Sequence, residues 1–211
     1  MNDQYYTADP TSESKPVPCA FPYRGHGLNF MTDAGVFSKV ELDVGSRLLL
    51  DALPALTGDV LDIGCGWGAI GVAIAKANKN ADGKPATRVT MLDVNRRALD
   101  LCRANCERNG VTAQVIESDG MAEVMGNKYD AIVTNPPIRA GKQVIYKMFA
   151  DAAGSLKDEG ALYLVIRKQQ GAESCMKYLK TLFENVEKLD KSAGFWILKA
   201  SEPKVGPKAD E

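Results

Sequence analysis

Two short stretches of this chain carry residue types whose spacing could do chemistry. In VLDIGCGWGAIG, glycines at 64, 66 and 68 alternate with single residues directly after an apolar run. Glycine there takes backbone angles closed to other residues and lets a ligand approach the main chain without meeting a Cβ. In YDAIVTNPPIRAGK, a second apolar run ends at Asn135, Pro136, Pro137 and Ile138. Two successive prolines fix the turn and remove two N–H donors, so it offers carbonyl oxygens and the Asn135 amide. Such an edge of acceptors suits a planar amine, which has N–H donors to place and a poorly available lone pair. Each stretch alone could be a rigid turn. At equivalent points about seventy residues apart, they read as two sides of one site.

Three carboxylates sharpen the first side. Asp93 ends the next apolar run, about 25 residues beyond the glycines, where an acid can accept hydrogen bonds from ribose hydroxyls. Asp119 ends the run after that. Asp62 lies inside the first run, two residues before Gly64. It would repel a pyrophosphate and suits a ligand ammonium or ordered loop amides better. GCGWGA also fits a loose G-x-G-x-x-A dinucleotide loop, so the loop alone does not separate NAD from another adenosine ligand. Asp119 could cap a following short helix, and Asp93 could be a solvated strand end. Three acids at successive strands point instead to a ligand.

The elements that must position these residues follow from the pattern. Apolar runs at 59–64, 88–94, 113–118, 129–135 and 160–167 read as strands. Between them, helical spacing covers 69–78, 96–110 (closed by Gly110), 142–156 and 171–183, with a short helix at 120–126. Residues 185–201 read as two strands joined by a turn at Ser192, Ala193 and Gly194. This alternation predicts a doubly wound α/β sheet of seven strands with the last one antiparallel. Ligands then sit at the C-terminal strand ends. Ahead of this core, residues 21–37 suggest short strands or turns. Residues 38–53 have helical spacing, with Ser38 as the expected N-cap. The expected organisation is a lead-in and helix over 1–58, a core over 59–201 and a flexible tail over 202–211.

Composition narrows the classes. An apolar fraction of 45% and a charged fraction of 25% are those of an ordinary globular chain. No run approaches the ~20 apolar residues of a membrane span, and the first residues lack a signal pattern, so a cytoplasmic protein is expected. Five scattered cysteines and one histidine predict free thiols and no metal site. A net charge of −1 supplies no global field for nucleic acid, leaving any such contact to a local patch such as Arg139, Lys142, Arg167 and Lys168.

VLDIGCGWG, MLDVN and ESDG resemble the cofactor segments of class I S-adenosylmethionine-dependent methyltransferases, which share a Rossmann-like sheet. The resemblance implies that Gly64, Gly66 and Gly68 lie against the methionine part of S-adenosylmethionine. It places the ribose hydroxyls on Asp93 and the adenine amino group on Asp119. Asn-Pro-Pro followed by an aromatic is the signature of members that methylate planar amines in nucleic acids or glutamine side chains. Here Ile138 replaces the aromatic, offering a flat apolar contact, with Arg139 available to stack. FMTDAGVFSKVELDVGSRLLLDAL, NPPIRAGK and VIRKQQGAESCMKYL together resemble the RsmC-like ribosomal RNA guanine-2-amino methyltransferases, over about residues 5–201. The likeness is closest to their short, single-domain relatives. It implies that Phe37 and Ser38 lie over the cofactor, and that Arg139, Lys142, Arg167 and Lys168 stand at the substrate mouth. The implied partner is RNA of the small ribosomal subunit. Glutamine methylation, a small-molecule amine, a non-catalytic binding module and a dehydrogenase are the competing readings. Phe195 and Trp196 are expected in the sheet core.

Overall fold

The computed structural model describes residues 13–36, 41–78 and 83–204. Phe37 and Ser38 lie outside the described residues. The described residues begin with an antiparallel hairpin of β1 (Val17–Tyr23) and β2 (His26–Thr32), and α1 (Val44–Ala52) comes next among them. The core then runs β3 (Gly58–Ile63), α2 (Ala69–Ala77), β4 (Thr87–Asp93), α3 (Arg96–Asn109) and β5 (Gln114–Glu117). It continues through β6 (Tyr129–Thr134), α4 (Lys142–Gly154), β7 (Leu156–Arg167), α5 (Ala172–Leu182), β8 (Phe183–Ser192) and β9 (Phe195–Pro203).

Among the described residues, seven strands form one sheet in the order β5-β4-β3-β6-β7-β9-β8. All neighbours are parallel except where β9 enters antiparallel between β7 and β8. This is the expected seven-stranded, Rossmann-like α/β sheet. The central strands are buried on both faces, which is why they read as nearly continuous apolar runs. Val60, Ala131, Val133, Val165 and Ile197 pack on the α1–α2–α3 side, and Leu61, Ile63, Ile132, Leu164 and Leu198 on the α4–α5 side. No helix of the described residues is long and apolar enough to cross a membrane.

Three local expectations shift. The cap of α1 is Asp43, not Ser38: its carboxylate accepts from the amides of Gly45 and Ser46, so the helix starts at Val44. β7 begins at Leu156 rather than 160, because Leu156 pairs with Tyr129 before a bulge resets the register at Ala131 and Ala161. The expected helix at 120–126 tightens to a single 3₁₀ turn, Ala122–Val124.

The hairpin is attached to the core by an asparagine pair one helical turn apart. Asn105 on α3 accepts from the Met31 amide at 2.7 Å and donates to the Met31 carbonyl at 2.9 Å. Asn109 does the same for Asn29, at 3.0 and 2.7 Å. The two side chains pair with alternate residues of β2 as a neighbouring strand would. The Asn105 amide also donates to the Trp67 carbonyl at 2.8 Å, tying the hairpin to the glycine loop.

Candidate active site

β3 and β6 are neighbours, and their chains leave the sheet toward helices on opposite faces, so a crevice opens beyond their C-terminal ends. The Thr134 hydroxyl donates to the Ile63 carbonyl at 2.8 Å and holds the two strand ends side by side. A cavity of about 980 Å³ lies over them. That is the upper end of the range of small-molecule sites.

The glycine loop forms one wall. The amides of Gly64 and Cys65 both donate to the Leu92 carbonyl at 2.8 Å, turning the chain back over β4. Gly64 and Gly66 have φ of +71° and +55°, which glycine adopts without strain, and a Cβ built on either meets no atom within 4 Å. Open space therefore lies in front of bare main chain, as a ligand laid against the backbone requires. Gly68 does a different job. It caps α2 with its own carbonyl, and a Cβ there would come 2.8 Å from the Cys102 sulfur, so it allows α2 and α3 to approach.

The three acids separate in depth. Asp93 lines the cavity and accepts from Gly66 N–H at 2.8 Å and Asn95 N–H at 2.9 Å. Partial desolvation raises its pKa, against the pull of those amides and of Val94. Asp119 lines the cavity and is exposed, with no cap made by its side chain. The short turn that follows instead has the Ser118 hydroxyl accepting from Glu123 N–H at 3.3 Å. Asp62 does not reach the cavity wall: it is fully buried beneath the loop, where it accepts from Gly71 N–H at 2.9 Å. Burial pushes its pKa up to about 7, opposed by the Gly71 amide and reinforced by the charge of Asp93. One of its oxygens thus takes a single amide, that of Gly71 in α2, while the other, Oδ1, is buried without a hydrogen-bond partner among the described residues.

The Asn-Pro-Pro turn forms the facing wall. Asn135, Pro136, Pro137, Ile138 and Arg139 all line the cavity. Pro137, with φ −74° and ψ 78°, sits at the centre of a tight turn in which Ile138 N–H donates to the Pro136 carbonyl at 2.8 Å. That carbonyl keeps a second lone pair. The Asn135 side-chain nitrogen donates to Ser46 Oγ at 3.0 Å and lies 3.3 Å from each oxygen of Asp43.

The four cations expected at the mouth divide. Arg139 and Arg167 line the cavity; Lys142 and Lys168 do not. Lys142 lies over the Tyr146 ring, 5.0 Å from its centroid. Phe195, expected in the sheet core, also reaches the cavity, because β9 ends its pairing with β7 at the Arg167–Phe195 step. The Arg167 guanidinium lies 4.7 Å from the Phe195 centroid. Trp196 points to the opposite side and is core.

Sequence reasoning missed Asp43 and Ser46 as parts of the site. The available signal was Asp43 itself, a cap residue directly before the amphipathic run of α1.

A sheet of this order, with a glycine loop at its switch point and acids at the neighbouring strand ends, defines the class I methyltransferase fold. The chain belongs to the methyltransferase small domain family, whose model matches residues 27–199. It is an S-adenosylmethionine-dependent methyltransferase by family and fold. It is 41% identical to YbxB, an uncharacterized protein of Bacillus subtilis, over 95% of this chain and 98% of that one. It is 38% identical to ribosomal RNA small subunit methyltransferase C of Aeromonas hydrophila, covering 81% of this chain and 48% of the relative. The chain thus spans about half the length of that enzyme. Among solved structures, it superposes on the T. thermophilus 16S rRNA N2 G1207 methyltransferase RsmC, in complex with AdoMet and guanosine. The TM-score is 0.77 at 26% identity, over 90% of this chain and 51% of the other. A methyltransferase from Pyrococcus furiosus, 21% identical, shares the fold with a TM-score of 0.59, over 72% of this chain and 78% of that one.

Proposed function

We propose that the chain methylates the exocyclic 2-amino group of a guanine in RNA, with small-subunit ribosomal RNA in the cytoplasm as its substrate. One observation carries this reading. The acceptor-rich Asn135–Pro136–Pro137 turn and the open glycine loop share a single cavity, so a donor and a planar amine can meet between them. The names of the A. hydrophila relative, matched over about half its length, and of the T. thermophilus structure support the RNA and guanine parts.

In this reading S-adenosylmethionine supplies an electrophilic methyl group on its sulfonium sulfur. Gly64 and Gly66 leave room for its methionine part, Asp93 takes the ribose hydroxyls, and Asp119 the adenine amino group. Asp62 holds the first turn of α2 through the Gly71 amide, and Gly68 sets the approach of α2 to α3. The Asn135 oxygen and the Pro136 carbonyl accept the two amine hydrogens, turning the nitrogen lone pair toward the methyl group. They also stabilise positive charge as it develops on nitrogen. No strong base is needed in advance, because the amine becomes acidic only as its new bond forms, and its proton then passes to solvent. Ile138 gives the base an apolar contact. Arg167, stacked on Phe195, offers a planar cation at the rim, and Arg139 a second positive charge for RNA. Lys142 and Lys168 contact the backbone further out.

The test is transfer of labelled methyl groups to unmodified small-subunit RNA, to reconstituted small subunits and to a ribosome-free protein extract. Label recovered as 2-methylguanosine supports the proposal. Label confined to protein overturns the RNA assignment in favour of glutamine side chains.

A further inference from the structure

An asparagine amide can enter a site with either end forward, since its oxygen and nitrogen differ little in size. For Asn135 only one end can serve, because an amine that must donate needs the oxygen. The turn that carries Asn135 does not make this choice: its backbone bonds run between Pro136, Pro137, Ile138, Ala140 and Gly141. The choice is made from α1. The amide nitrogen lies 3.3 Å from both oxygens of Asp43 and 3.0 Å from Ser46 Oγ. An ionised carboxylate only accepts, so the end of the amide facing it must be the nitrogen. With both of its hydrogens committed, that nitrogen has nothing left for a substrate, and the oxygen is the free end.

The clamp is itself fixed. Asp43 caps α1 through the amides of Gly45 at 2.9 Å and Ser46 at 3.3 Å, so its carboxylate cannot turn away without uncapping the helix. Ser46 is buried in the first turn. A Cβ on Gly45 would lie 3.0 Å from the Phe195 ring and 3.1 Å from Asp43 Oδ1, so glycine there lets the ring close over this corner.

We infer that Asp43 and Ser46 are positioning residues for methyl transfer. They hold the Asn135 amide with its oxygen toward the acceptor. The Asp43 charge also polarises that amide, so the oxygen becomes a stronger acceptor as charge grows on the attacking nitrogen. The inference rests on the proposed role of Asn135, and its test separates the two.

The full-length protein is compared with Asp43→Ser, Ser46→Ala, Asn135→Ala and the double variant Asp43→Ser/Asn135→Ala. Serine keeps an N-cap oxygen for α1 while removing the carboxylate. The Asn135 side-chain N–H pair is followed by ¹⁵N-edited NMR, which needs no substrate. It should exchange slowly with water in the parent chain and take on the shifts and exchange of a free amide in Asp43→Ser. Single-turnover transfer at saturating S-adenosylmethionine, on unmodified small-subunit RNA, should slow by roughly 10- to 100-fold in Asp43→Ser. Ser46→Ala should slow it less. Cofactor Kd should stay within about twofold of the parent, since neither side chain belongs to the proposed cofactor wall. Adding Asp43→Ser to Asn135→Ala should cost nothing more, because the clamp acts through the amide. An unchanged amide signal, an unchanged transfer rate in Asp43→Ser, or losses that multiply in the double variant would each overturn the inference while leaving Asn135 in place. Parent-level transfer by Asn135→Ala would remove the role of Asn135 and the inference with it. If the parent chain transfers to no RNA, the amide signal alone decides whether the clamp exists.

Discussion

The two walls of the cavity are built in opposite ways. The glycine loop is completed by its immediate neighbours: Leu92 and Asp93 of the adjacent strand take its amides, at most 28 residues away in sequence. The Asn-Pro-Pro turn has rigid backbone of its own, but its one adjustable group is set by Asp43 and Ser46, 92 and 89 residues earlier. The first wall fixes a ligand with main chain, which has little freedom to lose. The second uses a side chain, whose orientation has to be imposed. A cofactor-binding wall can therefore be a property of one strand–loop–helix–strand unit, whereas the acceptor wall depends on a helix outside that alternation.

The contrast can be broken most strongly at Asn135. Asn135→Ala should slow transfer by about 100-fold or more while leaving S-adenosylmethionine affinity within about twofold, in single-turnover assays and calorimetry. A parallel loss of cofactor affinity would show that the walls are not separable. Beneath the glycine loop, Asn105→Ala removes hydrogen bonds to both Met31 backbone groups and to Trp67. It should cost about 2–4 kcal/mol in urea unfolding, since three backbone groups lose their partner, two of them partly buried and the Trp67 carbonyl buried.

Asp62 sharpens the donor side through pH. Its carboxyl ionises near the ordinary 3.8 when unfolded and near 7 when folded, because burial disfavours the charge. The unfolded state therefore releases its proton first. The stability this group contributes is full below about pH 4 and is lost as pH rises through 7. Asp62→Asn cannot ionise, so the parent chain should lose on the order of 4 kcal/mol relative to the variant between pH 4 and 7.5. Parallel unfolding curves across that range would remove the claim. Asp93→Ala should weaken S-adenosylmethionine binding by roughly tenfold, the loss of a charged hydrogen-bond acceptor, with a smaller change in the transfer rate at saturation. The smallest effects belong to the rim. Arg139→Ala and Arg167→Ala should each lower the salt dependence of RNA binding by about one unit of slope, and Lys142→Ala and Lys168→Ala by less. Equal effects from all four would mean that lining the cavity gives the arginines no special part.

What could be read from the sequence divides along the same line as the walls. The strand runs of the sheet are local apolar patterns, and burial on both faces makes them continuous and easy to find. Gly64, Gly66, Asp93 and Asp119 fall at the ends of those runs, so their meeting at one cavity follows once the winding of the sheet is known. The start of α1 was read too early, because helical spacing extends back toward Ser38 while the cap that ends it is Asp43. Phe195 is core as expected and lines the cavity as well, which the pattern does not show, because alternation assigns a face but not how near the strand end comes to the cavity.

The sequence by itself determined the sheet, its winding and the chemistry offered by each loop. These depend on periodicity, glycine, proline and residue type, all of which act over a few positions. Only the tertiary structure decided which groups meet the Asn135 amide nitrogen, which two of the three acids reach the cavity, and which cations stand at its mouth. Those outcomes depend on contacts between residues tens of positions apart. Asp62 and Gly64 stand only two residues apart in the chain, yet one is sealed in the core and the other lines the cavity.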